Sequence, residues 1–164
     1  MKKGQMMGQP FIFIMALIIG ALILVFGISQ LVDFGNLGCK ANLEQELSGL
    51  RTEIQKMFYE TSGSAEGYKL DVPEANYICF IDPGETITLS QEELKAIDEG
   101  FATLAPRSTY NVVFIPFKIC DTNALFKVEK LTVSDDENPL CVRPNEVFIL
   151  ESKGDHTEVS RYNE

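Results

Sequence analysis

The chain has 164 residues and a formal net charge of −10. Lys2 and Lys3 open it, no charged residue lies between Phe11 and Val32, and residues 36–164 carry 12 Lys/Arg against 23 Asp/Glu. So uneven a chain is not one globular unit, and its acidic part excludes nucleic acid as a partner, since binding there depends on basic residues neutralising phosphates.

The first element is the apolar block. In Phe11–Val32 only Gly20, Gly27, Ser29 and Gln30 are not hydrophobic, and Phe11–Ile28 runs for 18 residues without a polar side chain. A helix on the surface of a soluble domain would carry a polar face, and a cleaved secretory signal has a shorter apolar core of roughly 7–15 residues. Twenty-two helical residues span about 33 Å, against a hydrocarbon core of about 30 Å. The block therefore reads as a transmembrane helix over 11–32, with the lipid bilayer as partner. Lys2 and Lys3 place the N-terminus in the cytoplasm by the distribution of positive charge. Ala16, Gly20 and Gly27 fall near one helix face, a candidate surface for helix–helix packing and self-association.

Lys2-Lys3-Gly4-Gln5, directly ahead of that block, resembles the class III, type IV pilin-like signal peptides of archaeal pilins and archaellins. The resemblance covers residues 1–32 and implies peptidase cleavage between Gly4 and Gln5, with the apolar helix retained as anchor or, in a filament, as packed core. The fifth position after that cut, often glutamate in the family, is Gln9. The start is also similar to small archaeal membrane proteins of unknown role that begin Gly-Gln-x-x-Gly-Gln-Pro-Phe.

Gly35 and Gly38 are expected to interrupt the helix, because Gly costs about 1 kcal/mol against Ala in a helix interior. A second helix follows in ANLEQELSGLRTEIQKMFYE, where Leu43, Leu47, Leu50, Ile54 and Met57 recur at helical spacing. Two heptads are short for a coiled coil, so this stripe is expected to pack on a sheet of its own domain. Thr61–Gly67 reads as a polar break and 68–72 as a strand. The run YICFI (77–81) reads as a strand buried on both faces and closed by Asp82-Pro83-Gly84. Ser90 with Glu93 forms a capping box, opening one helix whose apolar face is Leu94, Ile97, Phe101 and Leu104, ended by Pro106. Val112–Phe117 is a strand in which Pro116 marks an edge or a bulge. Residues 125–133 alternate as one strand, and 147–151 with 157–162 form a hairpin across Lys153-Gly154-Asp155.

The four cysteines, Cys39, Cys79, Cys120 and Cys141, include no C-x-x-C spacing, so a zinc ribbon is unsupported. An even number in an oxidising compartment reads as two disulfides with three pairings open. The β-rich surroundings of Cys79 and Cys141 favour joining those two, which leaves Cys39 with Cys120. His156, the sole histidine, lies in the expected hairpin turn. Asp135, Asp136, Glu137 and Asn138 lack the spaced ligands of a calcium loop, and no Gly-rich phosphate loop follows a strand.

The expectation is therefore an α+β chain: a stub or leader over 1–10, a transmembrane helix over 11–32, a juxtamembrane linker over 33–39, and over 40–164 an extracytoplasmic domain of helices packed on a mostly antiparallel sheet. The expected protein is a single-pass component of the cell membrane with a structural or interaction role, pilin-like, associating with itself or with other envelope proteins. It is not expected to be an enzyme, and no cofactor or metal is expected. The alternatives are a true subunit of a pilus-like filament and a ligand-binding or sensory domain with a pocket lined by the YICFI and VVFIPF strands.

Overall fold

The computed structural model describes residues 9–162. The chain divides into two units, 1–38 and 39–164. Helix α1, Gln9–Tyr59, includes the apolar stretch of the first unit and the leucine stripe of the second. It runs through Gly35 and Gly38, where a break was expected. Two glycines cost only about 2 kcal/mol together, and the backbone hydrogen-bond ladder of α1 continues through both.

The expected transmembrane helix over 11–32 is corrected. Among the described residues no helix is long and apolar enough to cross a membrane. Single-pass placement in the cell membrane with a cytoplasmic N-terminus rested on that span and is corrected with it. The fold class is α+β with two sheets.

In the second unit the strands are β1 (Ala65–Lys69), β2 (Tyr77–Phe80), β3 (Val112–Ile119), β4 (Thr122–Phe126), β5 (Leu131–Val133), β6 (Leu140–Val142), β7 (Val147–Ser152) and β8 (Thr157–Arg161). They form two four-stranded sheets, in the orders β1-β7-β8-β5 and β4-β3-β2-β6. Every pairing is antiparallel except β5 with β8. Strands β2 and β3 are internal, and their alternation divides the core in two. Ile78, Phe80, Val112 and Phe114 join the large cluster, where Leu43, Leu47, Leu50, Ile54 and Met57 of α1 meet Phe148, Leu150 and Val159 of the other sheet. Cys79, Ile81, Val113 and Ile115 point the other way, onto Leu94, Phe101, Ala102 and Ala105. The α1 stripe thus packs inside its own domain.

Three differences from the expected elements have local causes. Strand β1 begins at Ala65, inside the expected polar break, because an edge strand paired only to β7 needs no apolar alternation. The expected single helix is two, α2 (Gln91–Ile97) and α3 (Glu99–Leu104). Ser90 and Glu93 form the capping box of the first, and Asp98, extended at φ −167°, caps the second by accepting from the Phe101 amide at 2.9 Å. Pro116 lies within an internal strand, not at an edge, and the β3–β4 register shifts between Val113 and Lys118 around it, in keeping with the bulge expected as the alternative. The run 125–133 is not one strand: β4 and β5 belong to different sheets, and the four residues between them follow a path held by Asn111.

Candidate interaction surface

In the first unit, thirteen large apolar side chains from Ile12 to Ile28 are each 51–74 % exposed. Exposed apolar surface on this scale is the mark of an interaction site. It encircles the helix, since no polar side chain interrupts residues 12–28. Ala16 and Gly20 lie with Phe13, Leu17, Ala21 and Leu24 along one shallow concavity, whereas Gly27 is not part of it. A Cβ added at Gly20 or Gly27 would meet nothing within 4 Å. The chemistry available here is apolar packing with close backbone approach at Ala16 and Gly20. Gly4 and Gln5 lie outside the described residues.

In the second unit the cysteines form Cys39–Cys120 and Cys79–Cys141. Cys79 and Cys141 stand directly opposite each other on β2 and β6, with Cα atoms 4.1 Å apart. Cys120 and Asp121 both have positive φ, 53° and 56°, making the tight β3–β4 turn, in the manner of two-residue hairpins. That turn presents Cys120 to Cys39 of α1. Glu74 joins it, with Oε2 accepting from the Cys120 amide at 3.2 Å. Cys39, Glu74 and Cys120 bring two sulfurs and a carboxylate within 4.8 Å of one another. The sulfurs are bonded together, so the cluster is a brace and not a donor set for a metal.

Comparison with protein-family models, curated proteins and solved structures finds no match.

The YICFI and VVFIPF strands offer no pocket, since both faces of β2 and the first half of β3 are buried in the two clusters. His156 is in the β7–β8 turn, its Nδ1 2.7 Å from Asp155 Oδ1, with no nucleophile beside it in that pairing. The acidic turn holds structure together: Asn138 is buried, and its Oδ1 accepts from the Asp82 amide at 3.0 Å. Glu137 pairs with Arg161 at 3.3 Å.

Four basic side chains of the domain, Lys56, Lys118, Lys153 and Arg161, are paired with neighbouring carboxylates. The Lys56 ammonium lies 2.7 Å from both Glu53 and Glu66; hydrogen bonds to these carboxylates raise its pKa, and Lys56 in turn lowers that of Glu66. Lys153, between Glu151 and Glu158, is raised for the same reason. Lys118 lowers Asp121.

One feature escaped the sequence reading. A cavity of about 440 Å³ opens beside the last turns of α1 and the β4–β5 loop, with Arg51, Gln55, Tyr59, Lys127, Glu129 and Lys130 around it. Buried Ile54 and Val128 also line it. Arg51 lies outside the leucine stripe of its helix, and Lys127 and Lys130 fell within the single strand expected over 125–133. Only the loop between two sheets brings them together.

Proposed function

We propose that this chain is a structural, self-associating protein of pilin-like character. The apolar 12–28 stretches of several copies pack against one another, and the disulfide-braced domain is the part presented to an oxidising exterior. The observation that carries this reading is the exposure of thirteen large apolar side chains around the whole circumference of α1 in 12–28. Burying one such side chain is worth about 1.5–3 kcal/mol, and a helix apolar on all sides belongs in the interior of an assembly. One neighbouring helix would cover a single face, so the reading favours a multi-helix core over a simple dimer. The groove at Ala16 and Gly20 supplies a place for close approach. The pilin-like start of the sequence supports a filament as the form of that assembly.

The test is sedimentation velocity and electron microscopy of the full chain beside the Leu17→Lys/Leu24→Lys variant. Large assemblies from the parent chain and none from the variant are expected. A parent chain that remains monomeric over the whole accessible concentration range refutes the proposal.

A further inference from the structure

We infer that the cavity beside the end of α1 is a binding site for a small organic anion, one carrying two or more carboxylate or phosphate oxygens on a flat or apolar body. Residues 36–164 hold only 12 basic residues against 23 acidic ones, yet three of those 12, Arg51, Lys127 and Lys130, surround one cavity with Glu129 as its single acid.

The cations are also left available. Lys56, Lys118, Lys153 and Arg161 each engage a carboxylate within 4 Å. Among the described residues, Arg51, Lys127 and Lys130 engage none in any ion pair of the domain. Lys130 instead sits 3.1 Å from the centroid of the Phe58 ring, an attraction that positions the ammonium without neutralising it. Lys40, Lys69, Lys95, Arg107 and Arg143 likewise engage no carboxylate in these pairs, so what favours a negative guest is the convergence of three unneutralised cations on one cavity that holds a single acid.

The loop that carries two of the cations is held in place before any guest arrives. Asn111, 5 % exposed, donates from Nδ2 to the carbonyls of Val128 (2.6 Å) and Leu131 (3.3 Å), and its Oδ1 accepts from the Val128 amide (2.7 Å). A loop already fixed spares the ligand the cost of ordering it. Arg51 offers a planar fork suited to two acidic oxygens, and Gln55 adds a neutral donor and acceptor. Tyr59, 75 % exposed, adds an aromatic ring to the lining for the body of the ligand. The volume lies within the range of small-molecule sites, roughly 300–1,000 Å³.

The experiment is isothermal titration calorimetry of the oxidised full chain with citrate and, separately, with inorganic pyrophosphate. Saturable binding of at least one anion is expected, with Kd of about 1 mM or tighter, weakening on added salt. Arg51→Ala/Lys127→Ala should lose tenfold or more in affinity while its far-UV circular dichroism stays that of the parent. Lys95→Ala/Lys118→Ala, which removes two exposed lysines elsewhere, should bind like the parent. Binding of citrate alone assigns the site to carboxylates and of pyrophosphate alone to phosphates; either sustains the inference. Saturation by neither anion overturns it. So does undiminished affinity in the Arg51/Lys127 variant, or an equal loss in the Lys95/Lys118 control.

Discussion

Asn111→Ala tests the account of the β4–β5 crossing most directly. The Asn111 side chain makes three hydrogen bonds to backbone that is itself turning from one sheet to the other. Its own backbone is fixed independently: its amide donates to Phe126 O at 3.1 Å and its carbonyl accepts from Ile81 N at 3.0 Å. Truncation therefore removes the side-chain bonds and leaves position 111 in place. The Val128 amide and carbonyl lose close partners inside the domain, since Val128 is buried. A buried backbone group stripped of its partner costs about 1–3 kcal/mol, and the exposed neighbours Lys127 and Glu129 let water approach, which favours the lower end. The expected loss is about 2–4 kcal/mol. With a urea m-value of about 2 kcal/mol/M, the unfolding midpoint followed by far-UV circular dichroism on the oxidised chain should fall by about 1–2 M. Asn111→Asp keeps the acceptor for the Val128 amide but sets a carboxylate against two carbonyls, so it should be no better than alanine. A loss below about 0.5 kcal/mol for alanine, or a tolerated aspartate, would show that the loop holds its path without Asn111.

Thr132→Val should be neutral or should stabilise by up to about 1 kcal/mol in the same assay, because Thr132 Oγ1 is buried without a hydrogen-bond partner and a methyl group removes that cost; a clear loss would reveal a partner. Breaking Cys39–Cys120, which spans 81 residues, with Cys39→Ser/Cys120→Ser should cost about 4 kcal/mol by loop entropy, and a urea midpoint within error of the parent would refute that. Burial raises the pKa of Tyr68, with Glu46 and Glu53 adding to the effect. Its contribution to stability is therefore complete below the unfolded tyrosine pKa of about 10 and lost as pH rises through the higher folded value; Tyr68→Phe should flatten the stability profile there, and an unchanged alkaline slope would count against it.

The core of the domain was legible in the sequence wherever period and burial coincided. The leucine stripe of α1, the doubly buried YICFI run and the Ser90–Glu93 capping box all rest on local signals strong enough to survive tertiary context. An even count of cysteines likewise pointed to bridges. Failures came where tertiary partners decided the backbone. Nothing in residues 65–67 announces a strand, and the strand expected over 68–72 starts three residues earlier, because its hydrogen bonds to β7 come from more than 70 residues away. Asp98 read as an ordinary helix position, although its own carboxylate starts a new helix. The alternation of 125–133 looked continuous because periodicity is blind to a side chain at 111 that seizes the backbone of 128. The cation-lined cavity shares that blindness, being assembled from a helix and a loop, with Arg51 and Lys127 76 positions apart. The apolar stretch had the opposite problem: its pattern was unmistakable, but its length and surroundings were taken together as a membrane span.

The lone parallel pairing, β5 with β8, bears on the order of events during biosynthesis. Strand β8 occupies the middle of its sheet, between β7 and β5, and Thr157 donates across the core to the Ile54 carbonyl of α1 at 3.1 Å. No hairpin made early can stand in for it, so a ribosome must deliver residue 161 before that sheet can close. By then the sticky 12–28 segment has long since left the exit tunnel, with its companion domain still open. Such distant pairings fold slowly, and the interval between emergence and closure is when the growing chain most needs shielding from its neighbours.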